Sequence, residues 1–260
     1  MSEIWMFTAP FKSGILKEVA KIWREYDGKR YVIGIEQGRN SYKHVQGRIK
    51  ISANTDYEII ERIGKRKLKR RKGSRVFDKL SASGIHCEKT EQWGDYESKD
   101  GYYITSEDNT LIKAQRFGEL TLEQKAVLEL ADGTNDREVV IWYDEEGGHG
   151  KSWLCKALNE RKLGYYIDKE NSAQGMVKDL ESATRNGERR PYVMIDIPRS
   201  SKWENKDYIA IEKIKDGLVT DPRYGYHINN LSGIKVIVMC NTKPKLDKLS
   251  KDRWIFFNAP

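Results

Sequence analysis

Two sets of residues in this 260-residue chain have the types and spacing for phosphoryl chemistry. In "WGDYESKDGYY", residues 93–103, Tyr96 and Lys99 stand three positions apart in a polar segment with no hydrophobic stripe to bury. That spacing is one turn of helix, so a phenol and an ammonium share a face. A phenol, with an unperturbed pKa of about 10, is a poor nucleophile until its proton is accepted or its target polarised. Upstream, strand alternation in "HVQGRIKI" puts His44, Gln46, Arg48 and Lys50 on one face and Val45, Ile49 and Ile51 on the other. Glu36 ends the preceding strand, and a hairpin turn brings its carboxylate to His44 and Gln46. Carboxylate, imidazole and amide oxygen suit Mg2+ or Mn2+ better than zinc. A divalent ion there would withdraw charge from a scissile phosphate. Tyr96 could then attack it to form a phosphotyrosine ester, reversible by a free 3′-hydroxyl, with Lys99 steadying the phosphate.

The second set begins with "GGHGKS", from Gly147 to Ser152, between an apolar strand and a helix. In that setting Gly147, Gly148 and Gly150 let backbone N–H groups turn onto the phosphates of ATP. Lys151 would reach the β- and γ-phosphates, and Ser152 would bind Mg2+ through its hydroxyl. Glu145 stands where the phosphate-loop pattern has its first glycine. The strand "YVMIDIP" delivers Asp196, a carboxylate for Mg2+ or its waters, and "VIVMCNTKP" ends in Asn241, suited to sensing the γ-phosphate or orienting the attacking water. Arg253, in "LSKDRWIF", is expected as an arginine finger for a neighbouring subunit's ATP, against the alternative of a surface salt bridge.

The elements that must position these residues fall into two regions. "IWMFTAP" reads as a strand ended by Pro10, and "SGILKEVAKIWREY" as a helix with Ile15, Val19, Ile22 and Trp23 inward and Ser13 as its cap. "RYVIGIE" and "HVQGRIKIS" form a hairpin, and "DYEIIERIGKR" a second helix capped by Thr55. This order predicts a small α+β domain, helices on an antiparallel sheet, over residues 1–105. Residues 106–136 read as a linker and helical oligomerisation segment, with "TLEQKAVLELADG" helical. From 137 to 260, apolar strands alternate with helical segments, which predicts an α/β domain with a parallel sheet.

Formal net charge is +8, and residues 1–110 carry 22 Lys/Arg against 16 Asp/Glu, so +6 of it lies there. A basic first region points to nucleic acid before membrane. Cys87, Cys155 and Cys240 form no CxxC pair, which disfavours a disulfide framework or structural zinc. No apolar run approaches the roughly 20 residues of a membrane span, and the start lacks a signal-peptide pattern. The expectation is a soluble intracellular protein with no membrane partner.

Taken in order, "FTAP", "HVQG", "YESK", "GGHGKS", "MIDIPR", "VMCN" and "DRW" resemble the replication initiator (Rep) proteins of small circular single-stranded DNA viruses, with related plasmids and satellites. The resemblance implies a HUH-type nicking and joining endonuclease followed by a superfamily-3 helicase. It assigns Glu36, His44 and Gln46 to the metal, Tyr96 to attack, and Lys99 to its support. Lys151, Ser152, Asp196, Asn241 and Arg253 take ATPase roles. It further implies single-stranded and origin stem-loop DNA as partners, a homo-oligomeric ring, usually a hexamer, host replication machinery, and the host nucleus as location. Three departures stand out: Gln46 replaces a second histidine, Ile197 replaces a second acid after Asp196, and Ala9-Pro10 replaces Leu-Asn. "DIPR" resembles the nanovirus and alphasatellite branch.

Eight of the twelve residues from Gly64 to Arg75 are basic, which suits origin DNA contact with nuclear import as a second use. "GLVTDPRYGYHINN" reads as a pore hairpin offering Arg223 and Tyr224 to a DNA strand. A competing class is an RNA- or DNA-binding module fused to a phosphate-loop ATPase without strand cleavage. It calls for aromatics on central strands, where this chain has His, Gln, Arg and Lys. A small-molecule kinase leaves the basic first region unexplained.

Overall fold

The computed structural model describes residues 2–12, 14, 15, 17, 19, 30–38, 42–52, 86–94, 96–169, 172–185, 189–221 and 227–258. The chain divides into two compact units, Met1–Lys113 and Ala114–Pro260. In the first, β1 (Ser2–Pro10), β2 (Arg30–Gln37), β3 (Lys43–Ser52), β4 (His86–Thr90) and β5 (Tyr103–Thr105) make one sheet ordered β4-β1-β3-β2-β5. Every pairing in it is antiparallel. Alternation sends Phe7, Ala9, Ile33, Val45 and Ile49 into a single core, where Ile15 and Val19, in helical geometry four residues apart, cover them. The opposite face carries Glu36, His44, Gln46 and Arg48 together with the apolar Ile4, Met6 and Val32. In the β2–β3 register Glu36 lies across from His44, and Gly34 across from Gln46.

α1 (Thr110–Phe117) runs across the division between the units. The second unit then holds α2 (Leu122–Gly133), β6 (Val139–Tyr143), α3 (Lys151–Glu160), β7 (Gly164–Asp168), α4 (Ala173–Thr184), β8 (Tyr192–Ile197), α5 (Asn205–Asp216), β9 (Leu218–Asp221), β10 (His227–Asn230), β11 (Lys235–Cys240) and β12 (Trp254–Asn258). Five of these strands form a sheet ordered β12-β6-β11-β8-β7, parallel throughout. The near-continuous apolar runs of β6, β8 and β11 are what a sheet covered on both faces demands. One face packs under Met176, Leu180, Ile211 and Ile214 of α4 and α5. The other packs under Val127, Ala131, Leu154 and Leu158 of α2 and α3. β9 and β10 pair antiparallel as a separate ribbon.

The segment 106–136 is thus divided. α2 buries Val127 and Ala131 in the second core. Its start is fixed by a capping box between Thr121 and Gln124. Ser13, Ile22, Trp23, the helix expected behind Thr55, the basic run and the hairpin tip with Arg223 and Tyr224 all lie outside the described residues. Among the described residues, no helix is long and apolar enough to cross a membrane.

One buried cation makes the second unit's stability depend on pH. Lys215 is only 2% exposed and donates to the Ile234 carbonyl at 2.9 Å. Burial, with the neighbouring Lys235 charge, pushes its pKa down to about 8 from 10.5. The folded state therefore releases this proton before the unfolded state does. The cost of the buried ammonium is fully present below pH 8, and is relieved as pH rises toward 10.5. In urea unfolding at stepped pH, the wild type should gain on the order of 2 kcal/mol relative to Lys215→Met across that window. Parallel curves for the two proteins would mean that Lys215 keeps an ordinary lysine pKa.

Candidate active site

The hairpin of β2 and β3 delivers three polar side chains to one spot on the open face of the first sheet. Glu36 Oε2 lies 3.4 Å from His44 Nε2, and the Gln46 amide nitrogen lies 3.1 Å from the same ring atom. The Glu36 side chain is only 5% exposed, and its Oε1 is buried with no hydrogen-bond partner among the described residues. Lys99 Nζ meets Glu36 Oε2 at 3.0 Å and also contacts the Tyr96 hydroxyl, donating to it. All five residues singled out in the first unit therefore converge.

Tyr96 reaches this spot through backbone packing. It opens a short 3-10 turn, Tyr96–Ser98, in which Lys99 N donates to Tyr96 O at 3.2 Å. Residues three apart eclipse in such a turn. Lys99 Nζ consequently stands 3.7 Å from the Tyr96 ring centroid, while the ring itself is 55% exposed. The turn lies directly on β2, because a Cβ on Gly34 would collide with the Glu97 carbonyl. Below it, Glu97 is buried and accepts from Arg48 Nε at 3.0 Å, while Arg48 Nη1 donates to Gln92 O at 2.9 Å. Alternation put Arg48 on the polar face of β3. Its role as the anchor of the Tyr96 turn was missed, since its partner is 49 residues away and carries no local signal.

The electrostatics favour a cation at this spot. Glu36 offers an unpartnered buried oxygen, and His44 Nε2 faces both a carboxylate and an amide. Burying a carboxylate costs several kcal/mol unless positive charge accompanies it. Lys99 supplies one such charge. Burial works against its ammonium, yet bonds to Tyr96 and Glu36 outweigh it and hold its pKa above the usual lysine value. Among the described residues, no three His, Cys, Asp or Glu side chains gather as a metal site. The donor set here is one carboxylate, one imidazole and one amide, which fits a hard divalent ion such as Mg2+ or Mn2+.

In the second unit, parallel strands bring their carboxyl ends together. Gly147, Gly148 and Gly150 all have positive φ, at 81°, 92° and 83°, so the loop can turn its N–H groups inward before α3 begins at Lys151. Glu145 needs no such freedom: Lys162 is the only non-glycine residue with positive φ among the described residues. The cradle already holds an anion. The Asp144 carboxylate accepts from Gly147 N at 2.7 Å and from Lys151 Nζ at 2.6 Å, with His149 Nδ1 at 3.0 Å. Burial alone would raise the Asp144 carboxyl, but Lys151, the Gly147 N–H and His149 outweigh it and hold it well below the usual carboxylate range. A loop that binds a carboxylate so firmly has the donors for a phosphate. Asp144 was missed; an acid at the end of the phosphate-loop strand was its only signal.

Asn241 donates from its side chain to the Asp144 carbonyl, and Ser152 and Asp196 open onto one cavity of about 600 Å3. Asp196 pairs in register with Asp168 of β7; burial, then the Asp168 charge, raises its pKa. Ile197 is buried in the core on the other side, so the acid absent after Asp196 has no room there. Arg253 departs from expectation. Its side chain is 8% exposed and paired with Glu212 and Asp216 of its own α5, at 3.3 and 3.6 Å. It precedes β12, whose Trp254 pairs with Val139, the first residue of β6. It therefore sits at the amino end of these strands, opposite the phosphate loop. A guanidinium buried and paired in this way is not extended as a finger.

No protein-family model matches the chain. It is similar to viral replication proteins over about half its length. It is 30% identical over 137 residues to the Master replication protein of Faba bean necrotic yellows virus (isolate Syrian SV292-88), covering 53% of this chain and 44% of that protein. It is 30% identical over 139 residues to Para-Rep C7 of Faba bean necrotic yellows C7 alphasatellite, covering 52% and 47%. The Master replication protein of Subterranean clover stunt virus (strain F) is 31% identical over 127 residues, covering 48% and 41%. The chain spans less than half the length of these curated relatives. Among solved structures, a formyltetrahydrofolate deformylase from Pseudomonas putida KT2440 overlaps 76% of this chain and 44% of its own, at 10% identity and a TM-score of 0.24, too low to bear on the fold.

The Arg48–Glu97 pair is open to a double-mutant cycle. Arg48→Met strands a buried carboxylate and should destabilise the first unit by about 3–5 kcal/mol, whereas Arg48→Met with Glu97→Met should recover much of that loss. Urea unfolding followed by hydrogen exchange of the β1 and β3 amides reads both. Additive losses would mean that the pair does not anchor the turn.

Proposed function

We propose that this chain is a rolling-circle replication initiator: a HUH-type nicking and joining unit followed by a superfamily-3 helicase unit driven by ATP. The observation that carries this reading is the cluster of Glu36, His44, Gln46 and Lys99, whose ammonium also contacts the hydroxyl of the exposed Tyr96. Similarity to proteins named master replication protein and Para-Rep supports it.

In this account Glu36, His44 and Gln46 hold a divalent ion, Mg2+ or Mn2+, which when bound draws charge from the phosphoryl oxygens. Tyr96 forms a bond from its phenolic oxygen to phosphorus as the bond from phosphorus to the 3′ oxygen breaks. The phenolic proton passes to solvent, and the departing oxygen takes up a proton to become a free 3′-hydroxyl. Lys99, which contacts the Tyr96 hydroxyl, donates to the phenolic oxygen and favours the negative charge that develops there. The phosphotyrosine bond conserves the energy of the broken one, and the 3′-hydroxyl can reverse it to reseal the strand.

In the second unit Lys151 and the N–H groups of the glycine loop hold the phosphates of ATP, displacing Asp144 from the cradle. Ser152 and Asp196 hold its Mg2+, and Asn241 senses the terminal phosphate. Single-stranded and origin stem-loop DNA are the proposed partners. A homo-oligomeric ring, a hexamer, and a host nucleus with its replication machinery complete the proposal. Arg253 has no place in it as a finger.

The full chain incubated with Mn2+ and single-stranded DNA carrying a stem-loop should form a covalent adduct, and Tyr96→Phe should abolish it. Adduct that persists in the variant would remove Tyr96 as the nucleophile. Lys151→Ala should stop ATP turnover and leave the adduct intact; loss of both would contradict two separable activities. A nucleic-acid-binding ATPase without cleavage would form no adduct under any of these conditions.

A further inference from the structure

Arg199 is the last residue of the "MIDIPR" stretch and has no role in the account so far. It follows β8 by two residues, on the strand that carries Asp196. Pro198 fixes the chain just past the strand, and Ser201 N donates to Pro198 O at 2.8 Å, which closes a tight turn with Arg199 near its apex. From there the guanidinium reaches the phosphate loop. Its Nη2 donates to the Glu145 carbonyl at 3.0 Å and to the Glu146 carbonyl. A Cβ added at Gly147 would stand 2.7 Å from Arg199 Nη2 and 3.6 Å from Asn241 Nδ2. Arg199, Asn241 and the loop thus meet at one point, beside the Asp144 carboxylate that now fills the cradle.

We propose that Arg199 is the arginine that binds the terminal phosphate of the nucleotide, acting within its own chain. This rests on the reading of the second unit as an ATPase. A guanidinium carries five donors in a planar fork matched to phosphate oxygens. Here one nitrogen is spent on two loop carbonyls, while Nε and Nη1 have no hydrogen-bond partner among the described residues and the residue is exposed. Arg253, the other candidate for this charge, is locked to α5 at the far end of the strands. Within one chain, Arg199 reaches the loop and Arg253 does not. A simpler role, latching the loop through its carbonyls alone, makes a different forecast. A latch shapes the cradle for every nucleotide, whereas a terminal-phosphate ligand distinguishes ATP from ADP.

The experiment measures binding of fluorescent ADP and of a fluorescent, non-hydrolysable ATP analogue to the full chain with Mg2+ present. Arg199→Ala should weaken the ATP analogue by roughly tenfold or more and ADP by less than about twofold, as loss of one charge-assisted contact implies. Arg199→Lys, which keeps the charge without the fork, should fall between wild type and Arg199→Ala for the ATP analogue. Equal losses for both nucleotides would make Arg199 a loop latch and overturn the proposal, as would no loss for either. If wild-type protein binds neither nucleotide, or Lys151→Ala binds both as wild type does, the ATPase reading itself fails, and the arginine assignment falls with it.

Discussion

A carboxylate in a nearly dry position needs positive charge beside it, and the first unit is organised around that need at Glu36. The side chain is 5% exposed, one oxygen faces Lys99, and the other has no partner among the described residues. Leaving such a group without countercharge costs several kcal/mol. The hairpin register that sets Glu36 across from His44 therefore brings an imidazole beside a carboxylate that needs a cation, as the proposed metal site requires. Lys99 answers part of the demand, and in doing so draws the Tyr96 hydroxyl to the same point. Tyr96, the proposed nucleophile, is placed by the electrostatics of its neighbours as much as by its own packing.

That placement depends on two further constraints of unlike kinds. Gly34 removes a side chain so that the Tyr96–Ser98 turn can rest against β2, and Arg48 reaches across to neutralise Glu97 beneath it. One is steric and one is ionic, and neither touches the reacting atoms. The second unit repeats the logic with opposite sign. Its glycine loop is a cation-rich cradle, and Asp144 fills it with an anion. Each site thus holds a charge from its own chain where the proposed ligand brings the same charge.

What the sequence revealed was whatever local periodicity encodes. Alternation along "HVQGRIKI" separated His44 and Gln46 from Val45 and Ile49, and the structure divides them the same way. The apolar runs around Asp196 and Asn241 announced buried parallel strands, and "TLEQKAVLELADG" announced the helix α2. The residues that escaped notice are those whose meaning lies in a distant partner. Arg48 reads as one more basic residue until Glu97 arrives beneath it, and Asp144 reads as a strand-end acid until the loop folds back onto it. Arg253 takes the salt-bridge alternative within its own chain, to Glu212 and Asp216, partners that no local pattern marks. α2 shows the expected helical pattern, and its burial in the second core was not legible, since amphipathicity does not say which core a helix covers.

The central claim is that the first unit is built to hold a divalent cation within reach of Tyr96. Anomalous diffraction from a crystal of the full chain soaked in Mn2+ tests it most directly. The account predicts one strong peak bonded to Glu36, His44 and Gln46 at roughly the 2.0–2.3 Å of a hard cation's ligands, with Lys99 withdrawn from Glu36. A map with no peak there, and Lys99 still bonded to Glu36, would contradict it.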